Sequence, residues 1–302
     1  MRPASFDYAV PDSLAAAVQA LERGGPDAKL IAGGQSLMPM MNFRLARPEL
    51  LVDLRRVPGL AGIAVEADRV VIGAMTTHAE IERSAQLARV LPVLGAAARE
   101  IGHPAIRNRG TIGGSLAHAD PAAEWPVVAA ALDASVRVTG PRGERTVPAR
   151  ELFVSYLTTA LQDGEIVTAV EIPIPPAGTG WSFQEFARQA GAFALVMVVA
   201  LAALDGEGRV ARLAVALGGV DSKPVLAGVD AGPLLGAAPS RELVAAATEE
   251  IVATLEPSGD VHVSGEDRRQ AARALLGRGL SEALARAGAP DLDTEGRTWQ
   301  KS

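Results

Sequence analysis

The chain has 302 residues, with 29 Lys+Arg against 35 Asp+Glu for a formal net charge of −6. Hydrophobic residues make up 48% and charged residues 21%, a balance that excludes disorder and fits about two folded domains. The lack of cysteine excludes disulfides, thiolate zinc sites, iron–sulfur ligation and cysteine nucleophiles within the chain, and an acidic surplus argues against nucleic acid as a partner.

In chain order, Asp12 or Ser13 is placed to cap a first helix with an apolar side of Leu14, Ala17, Val18 and Leu21, stopped by Gly24 and Gly25. A short buried strand at 29–32 runs into Gly33, Gly34, Gln35 and Ser36, and a second strand at 50–54 closes this unit. The pattern restarts with a strand at 69–73. Thr77 and Glu80 form a capping-box pair opening a helix to about Val90, and Pro92 starts another that Gly102 ends. A glycine-containing loop is expected at 109–116, then a helix at 122–132 capped by Asp120 and Pro121, then strands at 135–139 and 165–172.

Pro173, Pro175, Pro176, Gly178 and Gly180 crowd into a stretch that neither strand nor helix can continue, the best linker in the chain. Beyond it lie apolar strands at 192–204 and 209–217 and helical patterns at 241–255 and 266–286, with a polar, loosely held tail from Gly288. The apolar run at 192–204 falls short of the roughly 20 residues that a bilayer requires, so no transmembrane segment is expected, and core is the better reading than partner surface. The N-terminus lacks the apolar centre of a signal peptide, which leaves a cytoplasmic location as the expectation.

The sequence carries no GxGxxG after a strand, no GK[ST], no GxSxG and no HExxH, and the histidines His78, His103, His118 and His262 lack metal-ligand spacing. Two Gly-Gly-containing segments stand out: Ala32, Gly33, Gly34, Gln35, Ser36 and Leu37, and Thr111, Ile112, Gly113, Gly114 and Ser115. Paired glycines let backbone N–H groups approach an anion with no Cβ in the way, and a serine hydroxyl adds a donor, so two such segments can converge on one pyrophosphate. The competing reading is that each pair is only a turn. Just downstream, Asp120, Glu124 and His118 can bind a ribose or ribityl hydroxyl, or Asp120 caps a helix and Glu124 lies on its solvated side. Arg99, Arg107 and Arg109 form a basic group that is either a phosphate contact or a solvated face.

The stretches AGGQSLMPMM at 32–41 and IGHPAIRNRGTIGGSLAHADPAAE at 101–124 carry a resemblance to a known family. Supporting matches are at 171–173, 186–188 and 217–220, and the likeness runs from about Phe6 to Ala285. The chain resembles the FAD-binding medium subunit of the molybdenum hydroxylases, the group of carbon monoxide dehydrogenase and xanthine dehydrogenase. The resemblance implies an α+β fold: a two-subdomain FAD-binding domain of the PCMH/vanillyl-alcohol-oxidase-like type at 1–175 (subdomains about 1–56 and 57–175), a smaller α/β C-terminal domain at 178–287, and a polar tail at 288–302. It implies that residues 32–37 and 111–115 wrap the FAD pyrophosphate, that Glu124 contacts cofactor hydroxyls, and that Val167 and Gln184 flank the cofactor. Phe193 falls where relatives often carry Tyr near the isoalloxazine ring, keeping the stacking surface and losing the hydroxyl.

By the same resemblance the partners are a large subunit with the molybdenum cofactor and a small subunit with two [2Fe–2S] clusters, in a dimer of heterotrimers. This chain would pass electrons from the clusters through FAD to NAD⁺, quinone or oxygen. No catalytic acid or base is then expected on it, because the cofactor carries the chemistry. Two alternatives stand beside this reading: a stand-alone FAD-binding module, and a self-contained flavin oxidoreductase in which His78, His103 or His118 is available to attach the flavin.

Overall fold

The computed structural model describes residues 2–227 and 232–292. The first unit runs β1 (Asp7–Ala9), α1 (Leu14–Gly24), β2 (Ala28–Ile31), α2 (Leu37–Asn42) and β3 (Leu50–Asp53). Ser13 caps α1, its hydroxyl accepting from the Ala16 N–H at 3.2 Å, and Gly25, at φ 58°, ends it. The three strands form a parallel sheet with β3 in the centre. Ala17, Val18, Ala20 and Leu21 of α1 pack with Val52 in one apolar cluster.

The second unit contains β4 (Ile63–Val65), β5 (Arg69–Gly73), α3 (His78–Arg83), α4 (Ala85–Val90), α5 (Pro92–Glu100), α6 (Pro104–Arg107), α7 (Ile112–His118), α8 (Glu124–Ala131), β6 (Ser135–Gly140), β7 (Gly143–Pro148), α9 (Ala149–Leu152), β8 (Phe153–Ser155), β9 (Thr158–Thr159) and β10 (Ile166–Pro173). Its antiparallel sheet has the order β4-β5-β10-β6-β7, with β8 and β9 as a separate hairpin. The two edge strands are the ones the sequence pattern does not announce. β4 is only three residues long, and β7 is mostly polar and exposed, which is how edge strands avoid pairing with other chains.

The chain then forms β11 (Gly180–Ala187), β12 (Ala194–Leu204), β13 (Val210–Gly218), β14 (Val225–Ala227), α10 (Arg241–Ala253) and α11 (Gly265–Arg286). The four strands make one antiparallel sheet in sequence order. β12 is buried on both faces. Met197, Val199 and Leu201 share a cluster with Trp125, Val127 and Val128 of α8, while Val196, Val198 and Ala200 share another with Leu276 and Leu280 of α11. That double burial explains why 192–204 is apolar without alternation, and it makes the run core. Among the described residues no helix is long and apolar enough to cross a membrane.

Four local expectations are corrected. The helix expected from Thr77 to about Val90 is two helices, because Ser84 adopts an extended ψ of 108° and its hydroxyl caps α4 by accepting from the Leu87 N–H at 3.3 Å. The loop expected at 109–116 is largely helix α7, capped by Thr111; packing overrides the poor helix propensity of two glycines. Asp120 caps a turn rather than the helix itself: its carboxylate accepts from the Ala122 N–H at 2.9 Å, and α8 begins at Glu124 with Ala123 as its N-cap. The tail does not loosen at Gly288. A 3₁₀ turn, Pro290–Leu292, buries Leu292 in the C-terminal cluster; residues 293–302 lie outside the described ones.

Candidate functional site

The parallel strands β2 and β3 deliver the chain to their carboxyl ends, the edge of such a sheet where ligands characteristically bind. There β2 gives way to the 32–36 loop, which runs into α2. Gly34 has φ 73°, a left-handed conformation that glycine adopts without strain. Gly33 is required for a different reason: a Cβ on it would lie 2.1 Å from the Arg109 carbonyl oxygen and 2.8 Å from Gly110 Cα. The Gln35 side-chain amide folds back to donate to the Gly33 carbonyl at 3.0 Å. Among the described residues, the N–H groups of Gly33, Gly34, Gln35 and Ser36 have no protein acceptor.

The second segment is held from behind. A bridge pairs Thr77 with Thr111, the Ile112 N–H donates to the Thr76 carbonyl at 3.1 Å, and the Gly113 N–H donates to the Ala74 carbonyl at 2.9 Å. The Gly114 N–H donates to the Thr111 hydroxyl at 3.2 Å and the Ser115 N–H to the Thr111 carbonyl at 3.0 Å. Gly113 lies so close to Ala74 that a Cβ would come within 2.5 Å of it, and a Cβ on Gly114 would sit 3.5 Å from Ala32 Cβ. The two glycine segments therefore meet, through Gly33 on residues 109–110 and Gly114 on Ala32. The hydroxyls of Ser36 and Ser115 have no protein partner among the described residues. The result is an edge of backbone N–H donors at 33–36 with two serine hydroxyls beside it, the donor set that suits a diphosphate.

Glu124 opens α8 and is 7% exposed, so the solvated-face reading fails. Burial, with smaller contributions from Asp120 and Glu100, pushes its carboxyl up to about 7, against the opposing pull of its own backbone N–H. Val167 is buried on β10 beside a bulge in its pairing with β6. Gln184 is turned elsewhere: its amide donates to Glu282 on α11 at 2.6 Å and to Ser182 at 3.1 Å. The neighbouring β11 residues Trp181 and Phe183 pack on the opposite face, towards the N-terminal core. The structure thus brings 32–37 and 111–115 together, and it directs the Gln184 side chain away from the N-terminal half.

Phe193 is 69% exposed just before β12. Its loop reaches the N-terminal half, since a Cβ on Gly191 would lie 2.7 Å from the His103 ring. His103 is exposed and His118 half-buried in the last turn of α7. Arg107 is a clamp rather than a solvated charge, pairing with Glu82 at 2.9 Å and donating to the Ile101 and Gly102 carbonyls at 3.2 and 2.8 Å. Arg99 and Arg109 are exposed.

The supporting roles of two groups escape sequence reading. His78, placed by the capping box at the first position of α3, is buried, and its Nδ1 accepts from Trp125 Nε1–H at 2.9 Å. Asp53, at the end of β3 opposite Ile31, is fully buried and accepts from the Tyr8 hydroxyl, from the Arg55 N–H at 2.8 Å and from the Arg55 side chain at 2.5 Å. The only signal for either is a short cap motif, which says nothing of the distant partner.

A profile for the FAD binding domain in molybdopterin dehydrogenase matches residues 4–175, and one for the CO dehydrogenase flavoprotein C-terminal domain matches 181–283. The 6-hydroxypseudooxynicotine dehydrogenase complex subunit alpha of Paenarthrobacter nicotinovorans is 45% identical, covering 95% of this chain and 97% of that protein. The nicotine 6-hydroxylase medium subunit of the same organism is 42% identical over 95% of this chain and 100% of its own length. Among solved structures, carbon monoxide dehydrogenase from Hydrogenophaga pseudoflava, in a form lacking the Mo-pyranopterin moiety of its molybdenum cofactor, contains a similar chain. The TM-score is 0.91 and the identity 38%, covering 95% of this chain and 99% of that one.

Proposed function

The chain belongs to the family of FAD-binding medium subunits of molybdenum hydroxylases, an oxidoreductase family, and from that premise we propose that it holds FAD across its two glycine segments and relays electrons from the iron–sulfur clusters of a small partner subunit to an external acceptor. The observation that carries the reading is the open row of N–H groups at Gly33, Gly34, Gln35 and Ser36, with Gly33 pressed against 109–110 where a Cβ does not fit. Those N–H groups hold the diphosphate, with the Ser36 and Ser115 hydroxyls as further donors. Ala32, Leu37, Ile112, Gly113 and Gly114 shape the wall, and Thr111 locks the second segment by capping α7. Lysine is nowhere needed, because backbone dipoles supply the positive potential.

Glu124, with its carboxyl near neutrality, can donate or accept at a sugar or ribityl hydroxyl. Val167 contributes shape from β10, and Phe193 offers an aromatic face for the ring system. Gln184 is left out of the set, since its amide is committed to Ser182 and Glu282. Bound FAD supplies single-electron uptake and release of an electron pair, and no group of this chain need move a proton for that. A large partner subunit carries the molybdenum cofactor and the substrate site. The division into domains at 1–175 and 178–287, assembly as a dimer of heterotrimers and a cytoplasmic location belong to the same proposal.

The test is a visible spectrum of the purified chain, with mass identification of flavin released on denaturation, followed by co-purification with partner chains. Flavin bands with released FAD and two co-purifying partners are expected. A chain that binds FAD without partners would point to a stand-alone module. A colourless chain that does not take up FAD even when reconstituted with partners would overturn the reading.

A further inference from the structure

We propose that His78 is the positioning residue that joins the two glycine segments into one site, its neutral ring acting as the post against which Gly110, and through it Gly33, is set. The inference rests on the reading that these segments hold FAD. Its geometry is a continuous stack: a Cβ on Gly110 would lie 2.6 Å from His78 Nε2, and a Cβ on Gly33 would lie 2.8 Å from Gly110 Cα. The His78 backbone N–H also donates to the Gly110 carbonyl at 3.0 Å, beside the Thr77–Thr111 bridge.

The Trp125 indole can only donate, so Nδ1 must be the acceptor, and Nε2 carries the ring hydrogen. A protonated ring would set an N–H against the indole N–H. The tautomer is therefore dictated by α8, the helix that also carries Glu124 next to Trp125. The charged groups on the surrounding helices are Glu80, Glu82 and Arg83 on α3, Arg99 and Glu100 on α5, Arg107 on α6 and Glu124 on α8, with Arg109 beyond Gly110. Of the two carboxylates on its own helix, Glu80 is bound to Thr77 and Glu82 to Arg107, whose charge opposes protonation of the ring. Burial, with Arg107, holds the ring's pKa down to about 4.

The experiment uses the full chain, unaltered and as Trp125→Phe and His78→Phe. Ring ¹⁵N NMR of the unaltered chain should show one neutral Nε2–H tautomer from pH 8 to 5; ordinary titration near 6.5 would overturn the proposal. Trp125→Phe should raise the ring's pKa and weaken FAD binding relative to the unaltered chain by about tenfold per pKa unit as pH falls from 7.5 to 5.5. His78→Phe should weaken binding by a constant factor with no such acid limb. A ratio to the unaltered chain that stays at one for both variants at every pH would overturn the proposal. Should the unaltered chain bind no FAD, that failure belongs to the flavin reading. Positioning is then read from amide hydrogen exchange in the cofactor-free chain, where Trp125→Phe should speed exchange at 109–113, and unchanged exchange there would overturn it.

Discussion

The two glycine segments look alike in sequence and work in opposite ways. In 33–36 the backbone N–H groups have no protein acceptor among the described residues, and Gly34 takes a left-handed φ that opens the loop. In 111–115 the N–H groups of Ile112, Gly113, Gly114 and Ser115 are all bonded internally, to Thr76, Ala74 and Thr111. There Gly113 serves close approach, its Cα packed against Ala74. One Gly-Gly-x-Ser or Gly-Gly-Ser motif is thus a cradle and the other a wedge that fixes the cradle's far wall. A motif match alone does not distinguish them; the fate of each N–H does.

The sharpest break of that comparison is Gly33→Ala. The new Cβ would meet backbone at 2.1 Å, so the segments must part. The expected outcome is loss of FAD binding by 100-fold or more, together with a destabilisation of about 3 kcal/mol. Isothermal titration with FAD and denaturant unfolding check the two halves; near-normal affinity would show that the contact at 109–110 does not shape the site.

Next in size is a pH effect at the wall. Glu124 holds its proton in the folded chain up to about 7 against an ordinary 4.5, so its stabilisation is present below 4.5 and lost as pH rises through 7. His78 stays neutral down to about 4 against an ordinary 6.5, so its stabilisation is present above 6.5 and lost as pH falls through 4. Between 4.5 and 6.5 the slopes oppose and cancel. Glu124→Gln should uncover the histidine slope, with stability falling by about 1.4 kcal/mol per pH unit on acidification through that window. Urea midpoints measured at several pH values for both chains test it, and parallel curves would refute it.

The smallest effect is Gly113→Ala. Its Cβ would press on Ala74, an overpacking of about 2 kcal/mol that lowers the melting temperature by about 4–8 °C. Because its N–H faces inward, the FAD affinity of the protein that remains folded should change far less than in Gly33→Ala. An equal loss in both variants would erase the distinction between cradle and wedge.

Much of this was legible in the sequence. The Ser13 and Thr77 caps, the strand at 69–73, the strand expected at 192–204 and found at 194–204, and the long helix ending at Arg286 follow local rules that packing does not override. The glycine segments could be singled out because glycine pairs after apolar strands are informative. Helix α7 was not legible, since two glycines speak against a helix and only Thr111 and the rail at 74–77 create it. The Trp125–His78 pair spans 47 residues, as does the ion pair's companion contact of Arg55 with Tyr8, and no periodicity connects such partners. The direction of Gln184 depends on strand parity in β11, which follows from its register with β12, and its partner is a glutamate on α11 far along the chain.

The proline-rich stretch before Gly180 invites cutting the protein in two, yet β12 makes the cut costly. One of its faces belongs to α8, the other to α11, and Gly218 approaches Val127 so closely that a Cβ would lie 2.4 Å away. Modularity in sequence is therefore not modularity in mechanics. The C-terminal sheet acts as a splint on the helix that carries Glu124 and Trp125, so shortening the chain at 175 would expose the splinted surface and soften the wall at a distance from any ligand.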